Sequence, residues 1–263
     1  MDRREHSSGK ASSSRRKAQA WILGAISAAV LAALGAFFNV LGNKAAEGIG
    51  HSEGTPISWS VEEMSTECFG STFLPAEAAR EALSQPPPAD WKAFEEAPGA
   101  APAGHDLIQV AIQGETDRKV TLTGIRFHVE RASPPDGATF GNPCGGPLTG
   151  RAMVVDLDKN PPEIIASSEE VGANVSFSRE GRSPDSKPIR FPWTVSVTDP
   201  LLLEIVASSE RCYCTWTAEI PWVSGSQRGV IPIDANGAGF TVAAVTDLDG
   251  YTNSSGRWRR SPS

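Results

Sequence analysis

Four cysteines carry the richest chemistry in this 263-residue chain: Cys68, Cys144, Cys212 and Cys214. A thiol can ligate a metal, exchange electrons or close a disulfide. Zinc centres use more widely spaced cysteine pairs with further ligands close by. Here the close pair is C-x-C, and no histidine lies near it. Dithiol redox motifs are C-x-x-C beside a βαβ pattern, and neither is present. An even cysteine count in an oxidising compartment favours disulfides, so all four are structural disulfide candidates. Cys212 and Cys214 lie two apart on an expected strand. Their side chains then share a face, with Cα atoms about 6.5 Å apart, near the upper limit for a bridge. Each is therefore expected to bond elsewhere, with Cys68 and Cys144 as partners and the connectivity open.

Other reactive groups are sparse. The histidines are His6, His51, His105 and His128. Alternation sets His128 opposite Phe127, on the surface. There is no G-x-S-x-G, P-loop, dinucleotide fingerprint or H-E-x-x-H. The carboxylate pairs Glu62-Glu63 and Glu169-Glu170 point apart on a strand, as solvated charges do. Asp156-Leu157-Asp158 and Asp247-Leu248-Asp249 start like calcium loops. The first runs into Pro161 and lacks the distal glutamate that an EF-hand needs. Both read as acidic turns. No catalytic residue, cofactor or metal site follows, and the chain is expected not to be an enzyme.

The elements that carry these residues divide at a membrane. Residues 18–43 hold no charge: AQAWILGAISAAVLAALGAFFNVLGN. About 20 apolar residues cross the hydrocarbon core as a helix, so 18–42 is expected to be a transmembrane helix, with Trp21 at one interface. Residues 1–17 hold six bases and two acids, and only Lys44 follows closely. The positive-inside rule then puts this basic tail in the cytoplasm and the C-terminal part outside, at the plasma membrane. A signal h-region is shorter, about 7–15 residues, although Ala45-Ala46 leaves cleavage open. Gly24, Ala28, Ala32 and Ala36 share one face. They suit an Ala-rich anchor and, as a second reading, a homodimer seam.

Composition excludes two classes. With 40% hydrophobic residues and a net charge of −7, the chain is too apolar for full disorder and too acidic for a general nucleic-acid binder. Beyond the helix, 43–56 reads as a flexible tether. Residues 57–104 read as a strand (ISWSVEE), a short helix starting at Pro75 and a proline-rich linker holding Trp91 and Phe94. From 105 to 250, nine short runs rich in Val, Ile, Thr and aromatics alternate with turn residues. This pattern predicts a mainly β domain, an antiparallel β-sandwich, preceded by the transmembrane helix. Asp234-Ala235-Asn236-Gly237 marks a hairpin. The antibody hallmarks are missing: no Trp follows Cys144 at the expected distance, and no Tyr stands two before Cys212 or Cys214. The expectation is an immunoglobulin-like or related sandwich of open topology. Residues 251–263, with Arg257, Trp258, Arg259 and Arg260, read as a loose basic tail.

FGNPCGGPLTGR, MVVDLDKNPP, FPWTVSVTDPLLLEI and CYCTWTAEIPWVSGSQRGVIPIDANGAGF together resemble a group of actinomycete single-pass membrane proteins. That group has a basic cytoplasmic tail, one membrane helix and a β-rich outer region with a C-x-C-x-W stretch, and no assigned activity. The resemblance implies the same topology here, carried by Cys144-Gly145-Gly146, Asp156-Leu157-Asp158, Asp199-Pro200, Cys212, Cys214 and Trp216. Some members carry a transcriptional-regulator label, but nothing in this chain reads DNA. The functional expectation is an anchored extracytoplasmic binding or sensing module, without cofactor or nucleic acid. Its partner would be an envelope protein, a wall polymer or a small ligand. Trp193, Trp216, Trp222 and Trp258 are contact candidates, although tryptophan in strands is usually core. The alternative is a structural subunit of an envelope complex. A regulator or a hydrolase is more remote.

Overall fold

The structure is a computed structural model that describes residues 49–50, 54–142, 151–168 and 188–261. The expected cytoplasmic tail and transmembrane helix, Cys144 and Glu169-Glu170 lie outside the described residues. Among the described residues, no helix is long and apolar enough to cross a membrane. Gly48–Ser263 forms one compact unit.

The unit is mainly β. Strands are numbered in chain order. The first sheet runs β1 (Ile49–Gly50), β2 (Ile57–Glu63), β5 (His105–Gly114), β12 (Leu201–Ser208), β9 (Arg151–Asp156), β10 (Glu163–Ser168). Its inner strands LLLEIVAS and RAMVVD are apolar on both faces because both faces are covered. One face carries Ile57, Ile108, Val110, Ile205 and Val155. The other carries Leu107, Val154 and Val206.

The second sheet is built around β13 (Tyr213–Ser224). Its alternation is strict: Cys214, Trp216, Ala218, Ile220 and Trp222 are buried, while Thr215, Thr217 and Glu219 lie on the outer face. The buried set joins Ile57, Ile108 and Ile205 of the first sheet in one core, so the two sheets face each other as a sandwich. On one side β13 pairs with β6 (Val120–Leu122) and β7 (Arg126–Ala132), and β11 (Trp193–Val195) lies beyond β6. On the other side it pairs with β14 (Gln227–Ile233) and β15 (Phe240–Ala243). The 234–237 turn forms, with Asn236 and Gly237 at positive φ and the Asp234 carboxylate accepting from Gly237 N–H at 2.8 Å. It does not make the expected hairpin. Ile233 lies opposite Ala218 and Phe240 opposite Trp216, so β14 and β15 continue one edge line and the turn bulges from it.

The third sheet runs β17 (Trp258–Arg260), β16 (Asp249–Asn253), β8 (Gly137–Gly141), β3 (Ser71–Pro75), β4 (Ala101–Pro102). Three short helices accompany it: α1 (Thr66–Phe69), α2 (Ala76–Leu83) and α3 (Lys92–Glu95). Pro75 is the N-cap of α2, one residue earlier than the first helical position expected. Leu74, Trp91, Ala138 and Phe140 are buried here against Phe94, Tyr251 and Trp258. Phe94 stacks on Trp258 with ring centroids 5.6 Å apart. The Trp258 indole N–H donates to the Ala82 carbonyl at 3.2 Å. The segment expected as a loose basic tail is therefore paired and packed, because an aromatic pocket captures its tryptophan. Segments 57–104, 105–250 and 251–263 all contribute strands to this sheet.

One further expectation changes. Two ladders, β9–β12 and β8–β16, are parallel. Parallel neighbours need a long connection, and here long stretches of chain separate each pair in sequence.

Candidate functional site

The site builds from the ends of β2 and β5. Strand alternation places Glu63 on the face that carries Ile57, Trp59 and Val61, and Asp106 on the face that carries Ile108 and Val110. Both faces look into the gap between the sandwich sheets. Glu63 lies opposite Ile108, so Glu63 and Asp106 are diagonal neighbours. From the facing sheet come Trp216 and Phe240, with ring centroids 5.1 Å apart.

Beyond Glu63 the gap opens into a cavity of about 550 Å³. α1, α3, β4 and β15 form its other walls. The wall is built by a hydrogen-bond network. The Glu95 carboxylate accepts from Ser65 Oγ at 2.8 Å, Thr66 Oγ1 at 2.9 Å and Thr66 N–H. The Trp91 indole N–H reaches Thr66 Oγ1 at 3.0 Å and Thr72 Oγ1 at 3.2 Å. Glu95 thus caps α1 from thirty residues away and fixes α3 against α1, while Trp91 ties the start of α3 to β3 through Thr72.

The electrostatics are one-sided. Glu63, Glu67, Asp90, Glu95 and Glu96 line the cavity against one cation, Lys92, which pairs with Glu96 at 3.3 Å. Much of the Glu63 side chain is exposed, yet the cavity walls remove water from its carboxyl. That loss, with the charge of Glu95, lifts it above the ordinary carboxylate range. Asp106 is only 1% exposed. Burial first, then the charge of Glu63, push its carboxyl well above the ordinary range. The Trp216 indole and the Leu107 backbone N–H oppose this, but neither Asp106 oxygen has a hydrogen bond of ordinary geometry.

The cysteines form a separate region and correct the expected pairing. Cys212 and Cys214 are bonded to each other. β13 starts at Tyr213, so Cys212 belongs to the preceding turn. There the chain bends and brings the Cα atoms to 5.3 Å, inside the range for a bridge. Cys68 is also disulfide-bonded. Asp158 holds the turn: its carboxylate accepts from Ser209 Oγ at 2.9 Å, Glu210 N–H at 2.9 Å and Arg211 N–H at 3.3 Å. The Asp158 carboxylate and the two sulfurs lie within 4.8 Å of one another. Sulfurs joined in a disulfide offer no thiolate, and the carboxylate is already engaged. The Asp156 carboxylate accepts from Asp158 N–H at 3.0 Å, so this acidic stretch is a turn.

A second cavity of about 340 Å³ touches His105, Asp158 and Ser209. His105 Nε2–H donates to the Phe69 carbonyl at 2.8 Å. Burial holds this imidazole below its usual pKa, and the Phe69 contact acts against that shift.

Of the tryptophan contact candidates, Trp216 and Trp222 are core. Trp193 is half-buried, with the Arg151 guanidinium 4.9 Å from its ring. Trp258 is half-buried and packs on Phe94. None of them lines the first cavity. The residues that do carry weak sequence signals: Glu63 reads as a solvated charge, and Glu95 as part of a linker. Asp106, buried behind Glu63, has a readable signal, a carboxylate two positions before Ile108 and so on the core face.

No protein-family model, curated protein or solved structure matches the chain.

Proposed function

We propose that the chain is a membrane-anchored extracytoplasmic binding or sensing module without catalysis of its own, and that the cavity at the end of β2 takes its ligand. The observation that carries this reading is the cavity itself. Its volume is that of a small-molecule site, and the Glu95–Thr66–Trp91 network holds its wall ready before any ligand arrives. The anchoring rests on the uncharged run 18–43 and the basic residues before it. The sandwich core is compatible with an immunoglobulin-like relative, and the topology follows the resemblance to the actinomycete membrane proteins. Hydrogen exchange on the full chain in lipid nanodiscs, with and without a soluble envelope extract, tests the site. Added protection should concentrate in 63–67 and 92–96. Protection confined to other segments would contradict it.

One observation favours the structural-subunit reading. Val223 and Val230 are 41% and 42% exposed on the outer face of neighbouring strands, beside Pro221. If that face docks an envelope protein, replacing both valines by Asp releases whatever co-purifies with the full chain. If co-purification is unchanged, this reading fails.

A further inference from the structure

We propose that Asp158, Cys212 and Cys214 form a redox-controlled site for a thiophilic divalent cation such as zinc, closed while the two sulfurs are bonded and opened when a dithiol reduces them. The site is separate from the cavity at the end of β2 and does not rest on it.

Among the described residues, one group of metal-ligating side chains converges: an Asp158 carboxylate oxygen and the two sulfurs lie within 4.8 Å of one another. The Ser209 hydroxyl oxygen touches all three. It stands 2.9 Å from Asp158 Oδ1, 3.2 Å from Cys212 Sγ and 3.8 Å from Cys214 Sγ. Bonds of about 2.3 Å to sulfur and 2.0–2.2 Å to oxygen set the ligand atoms of a tetrahedral zinc about 3.3–3.8 Å apart. Opening the S–S bond lets the sulfurs part to that spacing. Two thiolates, a carboxylate and a hydroxyl then surround one point. Sulfur donors select zinc or cadmium over magnesium and calcium.

The bridge is not what holds this turn. The Asp158 carboxylate accepts from Ser209 Oγ, Glu210 N–H and Arg211 N–H. The Cys212 N–H donates to Ser209 Oγ at 3.1 Å, and the Cys212 carbonyl accepts from Ala244 N–H at 3.0 Å. Cys214 lies in the ladders with β15 and β7, opposite Val242 and Arg131. A disulfide between residues two apart closes a very short loop, so it constrains the unfolded chain little. Reduction therefore leaves two thiols side by side on an intact scaffold.

The opening step is thiol–disulfide exchange. A donor thiolate attacks Cys212 Sγ, on the less buried of the two residues, and Cys214 leaves as the thiolate. The donor's second thiol then releases Cys212, and the donor departs as a disulfide. Zinc takes both sulfurs as thiolates and displaces their protons. The second cavity reaches Asp158 and Ser209, which gives the ion a way in. Arg211, 3.8 Å from the Asp158 carboxylate, offsets the surplus negative charge of three anionic ligands.

Alkylation mapping on the full chain in nanodiscs tests the inference. The chain is treated with a dithiol without denaturant, freed of it, and given zinc chloride or magnesium chloride. Open thiols are then alkylated and mapped. Zinc should shield Cys212 and Cys214 and leave the alkylation of Cys68 and Cys144 as it is without zinc. Magnesium should shield none. Cadmium chloride should give the ultraviolet charge-transfer band of a cadmium thiolate, and only after reduction. Asp158→Asn should weaken the zinc protection by about tenfold or more, and Cys68→Ser should leave it unchanged. Unchanged protection in folded Asp158→Asn overturns the three-ligand site. If that variant does not fold, the mapping of the natural chain decides. A bridge that opens only when the chain unfolds, shielding by magnesium equal to that by zinc, or no zinc-dependent shielding at 212 and 214 overturns the proposal.

Discussion

Asp106 is a carboxylate buried between the sandwich sheets, and its titration bears on stability. Its carboxyl titrates above the ordinary range because burial and Glu63 disfavour the charge, against the weaker pull of the Trp216 and Leu107 N–H groups. In the pH window above the ordinary carboxyl value, the folded chain holds this proton while the unfolded chain has released it. Folding stability therefore falls as pH rises through that window. Below the ordinary value both states are protonated and the dependence vanishes. Asp106→Asn cannot ionise. It should be more stable than the natural chain at pH 8, by about 1–3 kcal/mol, and the gain should shrink towards about pH 4. Paired denaturant melts across that range check it, and a gain independent of pH would contradict it. Replacing Asp158 should change stability in the opposite direction. Asp158→Ala strands three donors of the 209–211 turn and should cost about 2–3 kcal/mol, read as a lowered denaturation midpoint. The cysteines give a third expectation at this scale. With Cys212 bonded to Cys214 and Cys68 also oxidised, the chain has one cysteine left, Cys144. Peptide mapping without reduction should recover 212–214 within one peptide and 68 joined to 144. Recovery of 68 with 212 or 214 would contradict the structure.

At the level of elements, β13 was the most readable part of the sequence. Its alternation of Trp, Ile and Cys with Thr and Glu allows one register only, because a slip by one residue would expose the whole core face. β9 and β12 were readable as strands but not as a parallel pair, since continuous apolar runs do not state a direction. The C-x-C bridge was missed because spacing along an ideal strand says nothing of a turn that starts one residue before it. β3 and β8 pair so closely that Gly137 has no room for a side chain. A Cβ there would meet the Leu74 carbonyl oxygen at 2.2 Å and the Phe73 ring at 2.4 Å. Gly137→Ala should therefore destabilise the third sheet by about 3 kcal/mol, seen as a lower urea midpoint. A change below about 1 kcal/mol would mean that the two strands part easily. The candidate site was largely unreadable. Its acids come from β2, α1 and the segment around α3, and only the packing of two short helices against the end of β2 brings them together.

For the whole molecule, the proposed reading joins a membrane-anchored N-terminus to an extracytoplasmic β domain. The arrangement is coherent on energetic grounds. An uncharged run of 26 residues is costly to leave in water, and disulfides such as Cys212–Cys214 persist where the surroundings are oxidising. If the chain is anchored as proposed, that topology decides which ligands the cavity can meet. A cysteine introduced at the exposed β7 position Glu130 (Glu130→Cys) reports on it directly. Intact cells expressing this variant are treated with a membrane-impermeant maleimide, and their membranes are then collected. The account predicts full-length protein in the membrane fraction, labelled without lysis at the new thiol. Labelling that appears only after lysis would place the β domain inside the cell and contradict the central claim.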